Sequence, residues 1–177
     1  MARTGRVAAA DTPAPVRRFR LGGATPAARW PELALIVGWV VAFAAMHGIA
    51  LSHDVYWQMW IARQMLGGAK LYSDILEINP PLWFWMALPV ERFAEAASLP
   101  PTAVMVAAIF LYIGAALATL SVLLRERPAG IRAAVLLAAL VAMTFLSMRF
   151  FGQREHLALI SALPYATLVG RRRERMP

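Results

Sequence analysis

Three long apolar runs set the terms for this chain. Leu33 to Ser52 gives 20 residues without a charge, Thr102 to Leu124 gives 23, and Ile131 to Met148 gives 18 with Arg132 near one end, where it can snorkel. A helix rises 1.5 Å per residue, so about 20 residues cross the ~30 Å hydrocarbon layer of a bilayer. A fourth run, Leu157 to Gly170, holds 14 residues between His156 and Arg171 and is marginal for a crossing. The chain is 60% hydrophobic and 16% charged, with a mean hydropathy of +0.57. That apolar share exceeds the roughly 45–50% of ordinary soluble domains. The expectation is an all-α integral membrane protein with about four transmembrane helices.

Charge distribution orients those helices. Residues 1–29 are rich in Ala, Pro, Gly and Arg without apolar periodicity, and read as a disordered basic cytoplasmic tail. The tail is long for a secretory leader and the run behind it is long enough to span, so a signal anchor is expected. The short stretch Pro80 to Val90 decides the topology. If it crosses, the 18 basic residues divide 9 inside and 9 outside. If it lies in the interface, they divide 13 inside and 5 outside, as the positive-inside rule requires. Four crossings result, with both termini cytoplasmic, the end 171–177 among them. Two polar segments, 53–101 and 149–156, then lie on the outer face. The net charge of +8 is accounted for by these flanking arginines, and nucleic-acid binding is not expected.

The first outer segment reads as helices lying against the bilayer. Asp54 can cap a helix from Val55 to Leu66 that Gly67-Gly68 ends. Pro81 suits the first turn of a second short helix, which Pro89 disturbs. Trp57, Trp60, Trp83 and Trp85, with Tyr56 and Phe84, give the aromatic composition of an interfacial belt. Asp54 is open to two readings, an N-cap or a general base at the membrane surface. Asp74, after Tyr72-Ser73, suits an Asx turn. Glu77 reads as solvated or paired with Lys70, the chain's only lysine. His47, inside the first run, is expected to hydrogen-bond between helices.

The second outer segment is Arg149-Phe150-Phe151-Gly152-Gln153-Arg154-Glu155-His156. It is either a tight connector whose arginines meet lipid headgroup phosphates, or part of a site. Polar residues in succession this close to hydrocarbon are costly. Arg154 can hold a phosphate by two parallel hydrogen bonds. Glu155 and His156, with Asp54, are the candidates for a divalent cation, a weak donor set. The absence of cysteine removes disulfides and thiolate metal sites. There is no GxSxG, Walker loop, HExxH or DxD pair.

These elements in this order resemble the N-terminal part of the GT-C membrane glycosyltransferases, the group of protein mannosyltransferases and the aminoarabinose transferase that modifies lipid A. The resemblance spans residues 33–170. It is carried by Asp54 just outside the first run and by Leu71-Tyr72-Ser73-Asp74 leading to Asn79-Pro80-Pro81-Leu82-Trp83-Phe84-Trp85. The string Phe151-Gly152-Gln153-Arg154-Glu155-His156-Leu157 looks like the second outer loop of a bacterial subset.

The resemblance implies residence in a bacterial inner membrane. It implies transfer of a sugar from a polyprenyl-phosphate carrier to a lipid, glycan or protein acceptor on the outer face, with membrane lipids as surroundings. Asp54 and Glu155 would be the catalytic carboxylates. Arg63, Lys70, Asp74, Arg154 and His156 would face the substrate or its phosphate, and a divalent cation is used by some members. Several relatives carry a basic residue where this chain has Asn79. Relatives are also several hundred residues longer, so the expectation is an N-terminal module of such an enzyme, truncated or inactive alone. The alternative is a small non-catalytic membrane protein that scaffolds or binds lipid. A transporter part is disfavoured, because no run carries paired ionisable residues or broken helices.

Overall fold

The structure, a computed structural model, describes residues 29–173. The expected tail, 1–29, lies outside these residues but for Arg29, and of the basic end, 171–177, residues 171–173 lie inside as the last of α6. The described chain is all-helical: α1 Trp30–Met46, α2 His53–Leu66, α3 Pro81–Ala97, α4 Pro101–Leu123, α5 Ala129–Met143 and α6 Arg154–Arg173, with a 3-10 turn at Met148–Phe150 before α6. Prolines mark the starts. Pro31, Pro81 and Pro101 occupy first-turn positions, and Pro128 caps α5. There the missing N–H costs nothing and the fixed φ suits the helix.

α4 is the hub, packing against α1, α3, α5 and α6. Its buried residues Val106, Ile109, Phe110, Ile113, Ala116, Leu117 and Leu120 recur at spacings of three and four, one stripe of a helix. Around it lies a continuous core that includes Leu35, Met46, Val55, Leu136, Met143, Phe151 and Ile160. α2 packs on α3, and a second, smaller core of Ile61, Ile75, Trp83 and Phe84 lies between them.

α4 has the length and apolarity to cross a membrane; α1 and α5 are apolar but shorter. The helices do not fill the apolar runs. α1 stops at Met46, leaving 47–52 irregular, and α5 stops at Met143, leaving 144–147 in turns. Their 17 and 15 residues correspond to about 26 and 22 Å of helix. The fourth run behaves oppositely: α6 extends beyond 157–170 in both directions.

Four local expectations are corrected. Arg132 does not snorkel; it is 7% exposed and its Nη2 donates to Glu32 Oε2 at 3.2 Å, joining the starts of α5 and α1. Ser121 of α4 donates to the other Glu32 oxygen at 3.1 Å. Pro89 does not stop its helix, which runs 17 residues through it. A proline there forfeits one backbone bond, but Ala87, Val90, Glu91 and Ala94 beside it are buried in the packing of α3. Asp54 is not an N-cap: α2 begins at His53, Ser52 holds the cap position, and Asp54 lies in the first turn, where its charge suits the helix dipole. His47 bonds within its own helix, its exposed ring donating from Nδ1 to Ala44 O at 2.7 Å, and joins no second helix.

Candidate functional site

The two polar segments, 53–101 and 149–156, meet. Gln153 Nε2 donates to Ser52 Oγ at 2.9 Å, across 101 residues of sequence. Gly152, at φ +83°, lies against Val55 of α2 and Ile109 of α4. These contacts set the start of α6 beside the start of α2.

Arg154 is the centre of the arrangement. Its Nη1 donates to Asn79 Oδ1 at 2.7 Å and its Nε to Glu155 Oε1 at 2.8 Å. The guanidinium carbon lies 6.0 Å from the centroid of the Trp83 ring, within reach of a cation–π attraction. The hydrogen bond and charge of Glu155, with a further contribution from Asp54, raise its pKa above the ordinary arginine value against a small opposing effect of burial. In return the Arg154 hydrogen bond, ahead of its own backbone contact, holds the Glu155 carboxyl below the usual carboxylate range. Asp54 therefore acts on the same cation as Glu155, and its side chain is 62% exposed.

Asn79 is held in turn by Glu77. The Glu77 carboxylate accepts from Trp57 Nε1 at 2.7 Å, from the backbone N–H groups of Ile78 and Asn79 at 2.8 and 3.0 Å, and from Asn79 Nδ2 at 2.8 Å. Burial pushes its pKa up, but these four donors outweigh that and leave it lowered. The carboxylate is part-exposed, and these four donors rather than a pair with Lys70 hold it. The Tyr72 hydroxyl closes the loop by donating to Asn79 O at 2.5 Å, from a residue at φ +69°. A continuous chain of contacts thus runs Trp57–Glu77–Asn79–Arg154–Glu155.

Below Arg154 an apolar groove of about 390 Å³ opens between α3 and α6. Asn79, Pro80 and Arg154 stand at its polar end; Leu82, Trp83, Met86 and Leu157 line its length. Tyr112 and Ser161, hydrogen-bonded to each other at 2.5 Å, close one wall. The indole N–H of Trp83 is buried and has no acceptor. The buried Gln58 amide donates to the Trp83 carbonyl and fixes the start of α3 against α2.

Other expected site residues have structural employment elsewhere. Arg63 donates from Nε and Nη2 to Glu91 Oε2, both at 3.1 Å, joining α2 to α3. Asp74 accepts from the Lys70 backbone N–H at 2.8 Å, four residues back rather than two residues on as in the expected Asx turn. Its own N–H bonds Lys70 O, and Lys70 serves this turn through its backbone. His156 is 2% exposed with both ring nitrogens engaged. Nδ1 accepts from Gly152 N–H at 3.0 Å, and Nε2 must therefore be the protonated nitrogen, donating to Met143 O at 2.7 Å. It has no lone pair left for a metal, and no face toward a substrate. Among the described residues no three His, Asp or Glu side chains come together as a metal site. With His156 engaged and Glu155 bonded to a cation, the expected divalent-cation donor set does not fit.

The residues that sequence reasoning passed over are Glu77, Asn79, Trp57 and the Tyr112–Ser161 pair. Only the first could have been found: a carboxylate two residues before Asn79, in a Pro-terminated loop, is placed to take consecutive backbone N–H groups. Comparison with protein-family models, curated proteins and solved structures finds no match for this chain.

Proposed function

We propose that this chain is the N-terminal module of a membrane glycosyltransferase that moves a sugar from a polyprenyl-phosphate carrier to an acceptor at the outer face of a bacterial inner membrane. The observation that supports this reading most is the convergence of both polar segments on Arg154 above an apolar groove. A groove with an apolar length and a cationic head matches an amphiphile whose tail is a hydrocarbon and whose head is a phosphate.

Four crossings are part of the reading. Support comes from the outward residues Leu33, Ile36, Val37, Val40 and Val41 on α1, Leu111 on α4, Ile131 and Val141 on α5 and Leu168 on α6, all exposed. Aliphatic side chains in such numbers, on helices with no polar face, suit lipid better than water. The shorter α1 and α5 fit with local thinning of the bilayer.

In the reaction, an acceptor oxygen attacks the anomeric carbon with inversion and the carrier phosphate leaves with the bonding electrons. Exposed Asp54 takes the acceptor proton as general base. Arg154 stabilises the charge growing on the phosphate, exchanging the Glu155 carboxylate for it. Glu155 then becomes free to orient the acceptor. No step is assigned to a metal, to Arg63 or to His156.

The test is binding followed by transfer. The purified chain in nanodiscs should bind a polyprenyl monophosphate, and R154M should weaken that binding at least tenfold, while a polyprenyl alcohol binds both forms equally. Asp54→Asn should leave that binding intact and, with the module set in a full-length enzyme, abolish transfer of labelled sugar from the carrier. Equal affinity of the wild type and R154M for the phosphate refutes the reading.

A further inference from the structure

The loop between the Lys70–Asp74 turn and α3 reverses the usual logic of a water-exposed loop. Leu76 and Ile78 are 93% and 94% exposed, while Glu77 between them turns inward. Loops in water place charges outside and bury aliphatics where they can. Here Glu77 is held by four donors, while Asp74, before the tip, is exposed and accepts one N–H, from Lys70. The tip between them therefore presents no free charge.

The backbone is treated the same way. The N–H groups of Ile78 and Asn79 are bonded to Glu77, the Asn79 carbonyl to the Tyr72 hydroxyl, and the Ile75 carbonyl to the Tyr72 N–H. Pro80 has no N–H to satisfy. The provision is partial: the N–H groups of Leu76 and Glu77 and the carbonyls of Leu76, Glu77 and Ile78 have no partner among the described residues. The tip backbone therefore belongs at headgroup level, where water reaches it, and only its aliphatic side chains suit hydrocarbon. Trp57, Trp60 and Trp85 are partly exposed on the neighbouring helices, the residue type that settles at headgroup level. The aliphatic surface continues into exposed Leu82 and Met86, which line the groove.

We propose that the loop 75–79 lies at the outer headgroup level with the Leu76 and Ile78 side chains inserted into the outer leaflet, forming a lipid-anchored lip at the mouth of the α3–α6 groove. The depth is that of an interfacial element, about 5–10 Å. The inference rests on the membrane placement of the helices proposed above, though not on the transfer chemistry.

The chain lacks cysteine, so single labels are clean. L76C, I78C, S73C and L111C, each carrying a nitroxide, are reconstituted as full chains in nanodiscs, and collision with oxygen and with a water-soluble nickel chelate is measured. All four positions are exposed, so labelling leaves packing intact. At 76 and 78 oxygen collisions should exceed nickel collisions at least threefold, with the reverse at 73. Nickel in excess at 76 and 78 while 111 remains oxygen-rich overturns the lip and leaves the membrane placement standing. Nickel in excess at 111 overturns the placement itself. Exclusion of both reagents at 76 and 78 means a protein surface covers the loop, and also overturns the proposal.

Discussion

Gly152 is the point where the second polar segment is pressed onto the bundle, and replacing it with alanine tests whether that seating is tight. Two costs can be worked out. At φ +83° an L-residue meets its own carbonyl oxygen, for about 1–2 kcal/mol. The added Cβ would lie 2.8 Å from Ile109 Cδ1 and 3.3 Å from Val55 Cγ2. Ile109 can give at its flexible end, but Val55 is β-branched, fully buried and stiff, so part of the overlap persists. Overpacking of this kind costs about 1–3 kcal/mol. Together Gly152→Ala should destabilise by about 2–5 kcal/mol. The assay is equilibrium unfolding in mixed micelles followed by tryptophan emission. Gly130→Ala is the control: nothing lies within 4 Å of its Cβ and it sits in α5, so it should stabilise by about 0.4–1 kcal/mol. A loss below about 1 kcal/mol for Gly152→Ala, with the control as expected, would refute the seating and with it the placement of Gln153 and Arg154.

Three further outcomes are expected. His156→Leu strands the buried Gly152 N–H and Met143 carbonyl and should cost about 1–3 kcal/mol by the same assay, without altering metal affinity measured by calorimetry. Arg63→Met leaves buried Glu91 without its cation and should destabilise by about 1–3 kcal/mol, solvent screening of the half-exposed arginine keeping it below a fully buried pair. The double variant R63M/E91M should recover most of that loss, and a double-mutant cycle showing no coupling would remove the pair from the account. The lowered pKa of Glu77 means that its contribution is present above its ordinary value of 4.5 and is lost as pH falls through the lowered folded value. Acid titration of Trp57 emission should show that transition, and Glu77→Gln should abolish it.

What the sequence revealed depended on how local the determining physics was. Gly67 ending α2 and Pro81 opening α3 are set by one or two residues' own conformational limits, and each was legible. Asp54, Arg154 and Glu155 could be nominated as costly polar residues, and the structure does bring them to one cation. Arg63 and His156 were nominated on the same chemistry and are occupied elsewhere, while Lys70 serves its turn through its backbone alone. Nothing local distinguishes them: Arg63 meets Glu91 28 residues away, and His156 meets Met143 through the fold. Asn79 carried no signal, because its role depends on a side chain 75 residues distant.

The helix ends missing from α1 and α5 show why the apolar runs overstated the helices. A helix that stops leaves four carbonyls without partners. At the end of α5 all four are accounted for. Leu140 O takes the Thr144 N–H and hydroxyl, Val141 O takes Leu146 N–H, Ala142 O takes the Ser147 hydroxyl, and Met143 O takes His156. Thr144, Ser147 and His156 are buried, as are Leu51 and Phe151 in the adjoining irregular segments. Phe145, Leu146 and Met148 are nevertheless exposed, and of 47–52 only Leu51 is buried, so the apolar character of the two pieces is largely surface presented beyond the helix ends. Non-helical backbone is tolerated at membrane depth only where protein encloses it. Both irregular pieces adjoin the Ser52–Gln153 contact on which the start of α6 is seated. The residues withheld from the two helices thus include Ser52, which receives Gln153, and Thr144 and Ser147, which close carbonyls at the end of α5, and continuing either helix through its run would remove those contacts.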